Sequence, residues 1–390
     1  MATANRRQFL QIGGTATGIG LALPALARGQ VHGATPPAGE DPADRTVRLS
    51  GDGLGLTTTQ YSHLLARLAD EKGIAADGYS MEGVVEELET TFARALGKER
   101  AVFMPTGTLA NHLAVRALAG GPSRVIVQDE SHLYQDEGDC AQTLSGLTLV
   151  PLAPGRATFT AADVQATIDR TTGARVVRRV SVISIETPVR RRQGEMFDAG
   201  EMQRVIALAR REGIKLHLDG ARLFLQAAYT GQPVLETVRP FDTVYISLYK
   251  YFNAASGAIL AGPRALLDEM YHERRMFGGG LASVWPFAAV ALHFKNGFEA
   301  RYAQAQRTSE AIIERLGQHS AFAIERIPAG TNLFRLRLRS GDAAAFRQRL
   351  SARGILLSAP QNSTFLVGVN ETLNRMPAAD LADAFVRSLR

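Results

Sequence analysis

The sequence predicts an α/β fold in which a large domain built on a mostly parallel sheet precedes a smaller C-terminal α/β domain. Three observations predict it. From Ala101 onward, short β-branched runs alternate with stretches of helical periodicity, the pattern of strands joined by crossover helices. Residue types that carry chemistry sit just past the ends of those runs, where open α/β sheets bind ligands. The chain has 390 residues, 45% hydrophobic and 21% charged. That is enough for one large or two ordinary domains with a sizeable core, and it excludes global disorder.

Residues 1–27 read as an export signal rather than as fold. Asn5-Arg6-Arg7-Gln8-Phe9-Leu10 is followed by a weakly apolar run from Ile12 to Leu23 and then by Ala25-Leu26-Ala27. Charge, apolar run and small-residue cleavage site stand in the order of a twin-arginine signal. The apolar run is too short to span a bilayer, so no membrane association is expected after processing and the mature protein is expected in the periplasm. Residues 28–46, with Pro36, Pro37, Gly39 and Pro42, read as a linker. The single cysteine, Cys140, excludes an intrachain disulfide and a cysteine-based zinc site; no metal site is expected. The formal charge is +6, but arginines are scattered and not interleaved with aromatics, which argues against nucleic-acid binding.

Residues 47–285 are expected to form an N-terminal segment and the large domain. Its strands are read at Ala101–Met104, Arg124–Val127, Val180–Ile185, Lys215–Leu218, Val244–Ser247 and Gly257–Leu260. Thr108–Ala119 places Leu109, Leu113 and Ala117 on one helical face and stops at Gly120-Gly121. Asp198 with Glu201 resembles a capping box opening a helix that Gly213 closes. Residues 286–390 are expected to form a connecting helix to about Leu316 and the small domain. That domain has strands at Leu333–Leu338, near Ile355 and at Thr364–Val369, and helices at Ala343–Ala352 and Ala378–Leu389.

Four segments lie at the carboxyl ends of the predicted strands. Pro105-Thr106-Gly107-Thr108 joins a strand to a helix N-terminus, whose free N–H groups and dipole suit an anion. Asp219 ends the strand Leu216-His217-Leu218, and Arg222 follows it. A carboxylate in that position is costly to bury unless it pairs with a cation. Lys250 stands just beyond Val244–Ser247. Of the five lysines (Lys72, Lys98, Lys215, Lys250, Lys295) it alone follows an apolar strand directly, where a desolvated amine with a lowered pKa can form a Schiff base. Glu130-Ser131-His132-Leu133-Tyr134 brings an imidazole and a phenol to the same edge. An anion cradle, an aromatic platform, an acid and, 31 residues after the acid, a lysine are together what pyridoxal 5′-phosphate requires.

With those residues in place the sequence resembles the threonine aldolase and aromatic amino acid β-eliminating lyase family of fold-type-I pyridoxal phosphate enzymes. The resemblance covers about Ser50 to Leu316. It is carried by Leu96–Asn111, by His217-Leu-Asp-Gly-Ala-Arg-Leu-Phe224, by Lys250 with Gly257, and by Arg275-Met-Phe-Gly-Gly-Gly280. It implies that Gly107 and Thr108 hold the phosphate, His132 stacks on the ring and serves catalysis, Asp219 binds the ring nitrogen and Lys250 forms the imine. Arg222 would contact cofactor or substrate carboxylate, and Tyr79 would reach a neighbouring subunit's site in a homodimer or homotetramer. The implied activity is retro-aldol cleavage of a β-hydroxy amino acid to glycine and an aldehyde. β-Elimination, racemization, transamination, or cofactor binding with lost catalysis stand as alternatives.

The departures from the family pattern fall on the substrate side. Glu186-Thr187-Pro188-Val189 has valine where the family shows a histidine, Ala282 follows the triple glycine in place of an arginine, and Pro360–Gly368 holds no carboxylate-binding arginine. Near the start, the family's Arg-Ser-Asp-Thr becomes Ser50-Gly51-Asp52-Gly53. Arg190, in the run Arg190-Arg191-Arg192, is the local candidate for a substrate carboxylate, through paired hydrogen bonds. The export reading has a direct check. Wild-type protein recovered from the periplasm should begin at Arg28, and replacing Arg6 and Arg7 together by lysine should leave it uncleaved in the cytoplasm. Undiminished periplasmic recovery of the double variant overturns the reading.

Overall fold

Twelve strands in two sheets and one short pair carry the architecture of residues 45–390, the part of the chain that the computed structural model describes. The export signal and nearly all of the expected linker lie outside the described residues. In chain order the strands are β1 (Val47–Arg48), β2 (Arg100–Met104), β3 (Arg124–Gln128), β4 (Thr148–Leu152), β5 (Val180–Glu186) and β6 (Lys215–Asp219). They continue with β7 (Thr243–Ser247), β8 (Ala258–Gly262), β9 (Phe322–Arg326), β10 (Leu333–Leu338), β11 (Ile355–Leu356) and β12 (Thr364–Gly368).

The large sheet has the order β2-β8-β7-β6-β5-β3-β4. Only β8 runs against its neighbours; the other six share one direction. β5, β6, β7 and β8 are buried almost throughout, as strands covered by helices on both faces must be. This order sets the site. β7, β6, β5 and β3 are consecutive neighbours, so their carboxyl ends deliver Lys250, Asp219, Glu186 and His132 side by side. β2 lies two places from β7, across β8, and feeds the helix Gly107–Ala119.

The α/β class and all six expected strands of the large sheet are present, with ends shifted by a residue or two. Gly257 falls outside β8 because its φ of +112° is not a strand conformation. A Cβ there would also lie 2.6 Å from the Phe103 ring, so glycine suits the position on both counts. β4 is an addition: Pro151 breaks its apolar pattern, yet proline is tolerated because β4 is an edge strand. The single helix expected from Trp285 to about Leu316 is in fact two, Trp285–Lys295 and Phe298–Gly317. Gly297 takes a left-handed φ of +67° between them, and Arg301 donates to the freed carbonyls of Phe294 and Asn296.

The second sheet is antiparallel, β12-β10-β9. β1 pairs in parallel with β11, which ties the first described residues to the C-terminal part of the chain. Among the described residues no helix is long and apolar enough to cross a membrane.

The loop after β7 rests on an aromatic cluster. Tyr251 and Phe252 are buried, and the Phe252 ring lies 5.4 Å from Phe92, 5.3 Å from Phe224 and 5.2 Å from Phe298 in edge-type contacts. Lys250 thus precedes two residues that cannot move without opening the core. Truncating such a ring removes its transfer free energy and leaves a cavity, typically about 3–5 kcal/mol. Phe252→Ala should therefore lower the urea midpoint by an amount corresponding to about 3–5 kcal/mol. A loss under about 1 kcal/mol, the range of ordinary surface changes, would show that the cluster does not anchor this loop.

Candidate active site

A cleft of about 880 Å³ opens at the carboxyl edge of the large sheet. Lys250, Arg222, His132, Arg190 and Tyr249 line it from the sheet side, and Arg48, residues 50–53 and residues 55–58 close it from the N-terminal side. Asp219 lies buried at the sheet edge, 3% exposed. Lys250 follows the all-buried strand β7 and is itself half-buried. Burial, assisted by the charge of nearby Arg222, lowers its pKa to about 8.

The cation expected to pair with Asp219 is not there: among the described residues its partners are neutral hydrogen-bond donors. Its Oδ1 accepts the backbone N–H of Ala221 at 3.1 Å and its Oδ2 accepts from Asn111 Nδ2 at 2.8 Å. Asn111 lies one turn inside the helix that begins at Gly107, so the acid and that helix are locked together. The same Nδ2 donates to Glu137 Oε1 at 2.9 Å, and His132 Nδ1 meets that oxygen at 2.8 Å. Behind Asn111 the buried His217 spans its Oδ1 (3.0 Å from Nε2) and Thr243 Oγ1 (2.8 Å from Nδ1). Burial lowers the His217 pKa to about 4, so the ring is neutral. An amide oxygen can only accept, hence Nε2 carries the proton and Thr243 donates to Nδ1.

The hydrogen bond to Glu137 raises the His132 pKa against the opposing effect of burial. Its Nε2 makes no hydrogen bond among the described residues. Glu186, at the end of β5, is buried and accepts the backbone N–H groups of His132 at 2.6 Å and Arg190 at 2.9 Å. Burial and the adjacent charge of Asp219 raise its pKa. It ties together two loops that border the cleft.

Arg222 donates from Nε to Asp52 Oδ2 at 2.9 Å, and a terminal nitrogen lies 2.9 Å from the same oxygen in the ion pair. Burial opposes its charge, but the Asp52 carboxylate outweighs that and the pKa is raised. Asp52 Oδ1 accepts from Asn332 at 3.1 Å, and Leu54 N–H donates to Asn253 Oδ1 at 2.7 Å. Between them, a Cβ on Gly53 would lie 2.4 Å from the Lys250 carbonyl oxygen, so the N-terminal segment can approach this closely only through glycine.

The structure therefore gathers Lys250, His132, Arg222 and Arg190 in one cleft, with Asp219 buried at the same sheet edge. Gly107 and Thr108 are not in its lining. They open the helix that carries Asn111, and Ser256 Oγ, three residues past Asn253, donates to the Pro105 carbonyl at 2.8 Å. Arg190 borders the cleft but donates to Asp136 Oδ2 at 2.6 Å. Tyr79 stands outside this cleft, 52% exposed, with a φ of +53°. Val189 is fully buried and does not line the cleft. Asp52, Asn111, Glu137 and Glu186 were not singled out as site residues from the sequence. Asn111 sits inside a quoted motif and Glu137 follows His132 by five residues, but nothing local says which oxygen meets which nitrogen.

A mostly parallel sheet with a lysine, a buried acid and an imidazole at its carboxyl edge has the architecture of the fold-type-I pyridoxal phosphate enzymes. The chain belongs to the beta-eliminating lyase family, whose model matches residues 67–338. It is 24% identical over 336 residues to low-specificity L-threonine aldolase 1 of Arabidopsis thaliana, covering 84% of this chain and 92% of that one. A solved Listeria monocytogenes structure described as an L-allo-threonine aldolase superposes with a TM-score of 0.73 at 27% identity, covering 89% and 97% of the two chains. A serine palmitoyltransferase structure holding pyridoxal phosphate shares the fold, with a TM-score of 0.63 at 16% identity over 88% and 87% of the chains.

The His132–Glu137 contact predicts a titration. The His132 ring should titrate above the ordinary histidine value of about 6.5, and Glu137→Gln, which removes the anionic acceptor, should lower that pKa. The ring C–H resonances followed by NMR against pH read both. A His132 pKa unchanged in Glu137→Gln would show that the carboxylate does not hold the proton.

Proposed function

We propose that this protein is a pyridoxal 5′-phosphate-dependent carbon–carbon lyase that cleaves a β-hydroxy amino acid to glycine and an aldehyde. The observation that carries the proposal is Lys250: a half-buried amine with a pKa lowered to about 8, in one cleft with His132 and Arg222 and near the buried Asp219. The names of the threonine aldolase relatives support retro-aldol cleavage over β-elimination, racemization or transamination.

The donor set fits the cofactor. The first-turn N–H groups at Gly107 and Thr108 have no intrahelical acceptor and would take the phosphate. Asp219 would keep a proton on the ring nitrogen, held in place by Asn111 and the Ala221 N–H. Lys250 would hold the aldehyde carbon, its lowered pKa leaving a useful fraction of neutral amine near neutral pH. When bound, the cofactor supplies an electron sink for the pair released at the α-carbon.

The chain's own residues supply the proton transfer. With Nδ1 engaged by Glu137, His132 offers Nε2 as acceptor for the β-hydroxyl proton. Glu186 positions His132 through the backbone N–H and so fixes where that imidazole stands. Arg222 adds positive charge beside Lys250 and is held there by Asp52.

The same proposal makes the protein a periplasmic homodimer or homotetramer. The exposed Tyr79, held in a sparsely populated backbone region by Ala282 and Arg274 on its flanking amide groups, supports a role across a subunit boundary. Light scattering of the mature chain reads this; a monomer at micromolar concentration overturns it. For the chemistry, the purified protein should absorb visible light, and borohydride reduction followed by peptide mapping should place a pyridoxyl group on Lys250. A label on Lys215, or on no lysine, overturns the assignment.

A further inference from the structure

Three arginines line the cleft, and two of them already pair with a carboxylate of the chain. Arg222 donates from Nε to Asp52 and forms an ion pair with it. Arg190 is bonded to Asp136, which also receives Arg191. The third is Arg48. Its guanidinium makes no ion pair and no hydrogen bond among the described residues, although it is half-buried in the cleft wall.

Arg48 is nevertheless held firmly in place. It belongs to β1, paired with β11. Its N–H donates to Thr372 Oγ1 at 2.9 Å, and its carbonyl accepts from Asn370 Nδ2 at 2.9 Å and from Thr372 Oγ1 at 3.0 Å. Its side chain then lies across Gly55. A Cβ at that position would come within 2.8 Å of Arg48 Cδ and 2.9 Å of Nε. Glycine at 55 therefore leaves the path along which the arginine enters the cleft.

An arginine presents five donors in a planar fork suited to a carboxylate. One that is partly withdrawn from water, with its backbone fixed and its fork unused, is a binding group lacking its anion. Asp52 is the one carboxylate in the cleft lining, and both of its oxygens are already engaged, by Arg222 and Asn332. Among the described residues the cleft lining therefore holds no carboxylate left to pair with Arg48.

We infer that Arg48 is the carboxylate anchor of this cleft, taking the α-carboxylate of the amino acid substrate through paired hydrogen bonds. The inference rests on the proposed amino-acid chemistry at Lys250 and deepens it. It gives the substrate carboxylate a partner on the N-terminal side of the cleft, whereas the segment Pro360–Gly368 offers no arginine for that role. Arg48 thereby adds a carboxylate donor to the positive charge that Arg222, held by Asp52, already places beside Lys250.

The test uses the mature chain stripped of cofactor and two stable reduced adducts, N-(5′-phosphopyridoxyl)glycine and N-(5′-phosphopyridoxyl)methylamine. They differ only in the carboxylate, and isothermal titration measures the affinity of each. Wild type should prefer the glycine adduct by about 10–100-fold, the range of a charge-assisted contact. In Arg48→Gln the preference should fall to within about threefold of unity while the methylamine adduct binds as in wild type, which also shows that the variant is folded. Arg48→Lys should retain part of the preference. A preference that survives in Arg48→Gln overturns the inference. So does equal weakening of both adducts, which would place Arg48 on the phosphate. If wild type binds both adducts equally, the inference fails and the cofactor reading stands; if it binds neither, the cofactor reading fails and the inference falls with it.

Discussion

A carboxylate buried at the end of a parallel strand is the constraint around which this molecule is arranged. Asp219 is 3% exposed, and an unpaired buried charge costs several kcal/mol or more. Each of its oxygens is met by a donor whose own position is independently secured. The Ala221 N–H belongs to the turn that follows β6. Asn111 belongs to the helix after β2, and its amide is oriented because His217, neutral and fixed by Thr243, donates to its oxygen. One acid therefore dictates an amide orientation, a histidine tautomer and the seat of a helix. Through Asn111 and Glu137 it also reaches His132.

The cleft is only half made by the sheet. Its other wall is the N-terminal segment, which leaves β1 beside β11 and crosses toward Lys250. Asp52 clamps Arg222 from that side, and Gly53 lets the backbone pass against the Lys250 carbonyl. The capping box of Thr57 and Gln60 then starts the helix Thr58–Lys72 at the cleft's rim. Residues more than 160 positions apart are thus held within hydrogen-bonding distance. The contacts joining them are short, local in space and mostly charge-assisted.

The strands beneath the site were legible because buried parallel strands are written as apolar runs, and the β-branched residues of β3, β5 and β7 are unmistakable. In two places where the reading differed, a glycine or proline was responsible. Gly297 splits a helix that periodicity alone would continue, and Pro151 disguises an edge strand. Lys250 and Asp219 were also legible, since each is a charge just past an apolar run. Asp52, Asn111, Glu137 and Glu186 were not. Each stands in a segment of ordinary polar composition, and what distinguishes it is a partner elsewhere in the chain. The run Arg190-Arg191-Arg192 shows the converse. It looks like a ready carboxylate site, yet Asp136 and Glu130 face it and take its donors.

The sequence by itself determined the class of fold and the chemical type of the site, and it singled out the lysine proposed to carry that chemistry. Those follow from periodicity, and from the cost of burying a charge, which local context already displays. The tertiary structure decided which donor meets which acceptor. Hydrogen bonds and ion pairs act over about 3 Å, and the pairings that matter join residues a hundred or more positions apart: Asn111 to Asp219, Arg222 to Asp52. Only the order of the strands and the path of the N-terminal segment bring those atoms within that distance. They also leave Arg48 alone among the cleft's arginines without an ion pair or side-chain hydrogen bond among the described residues.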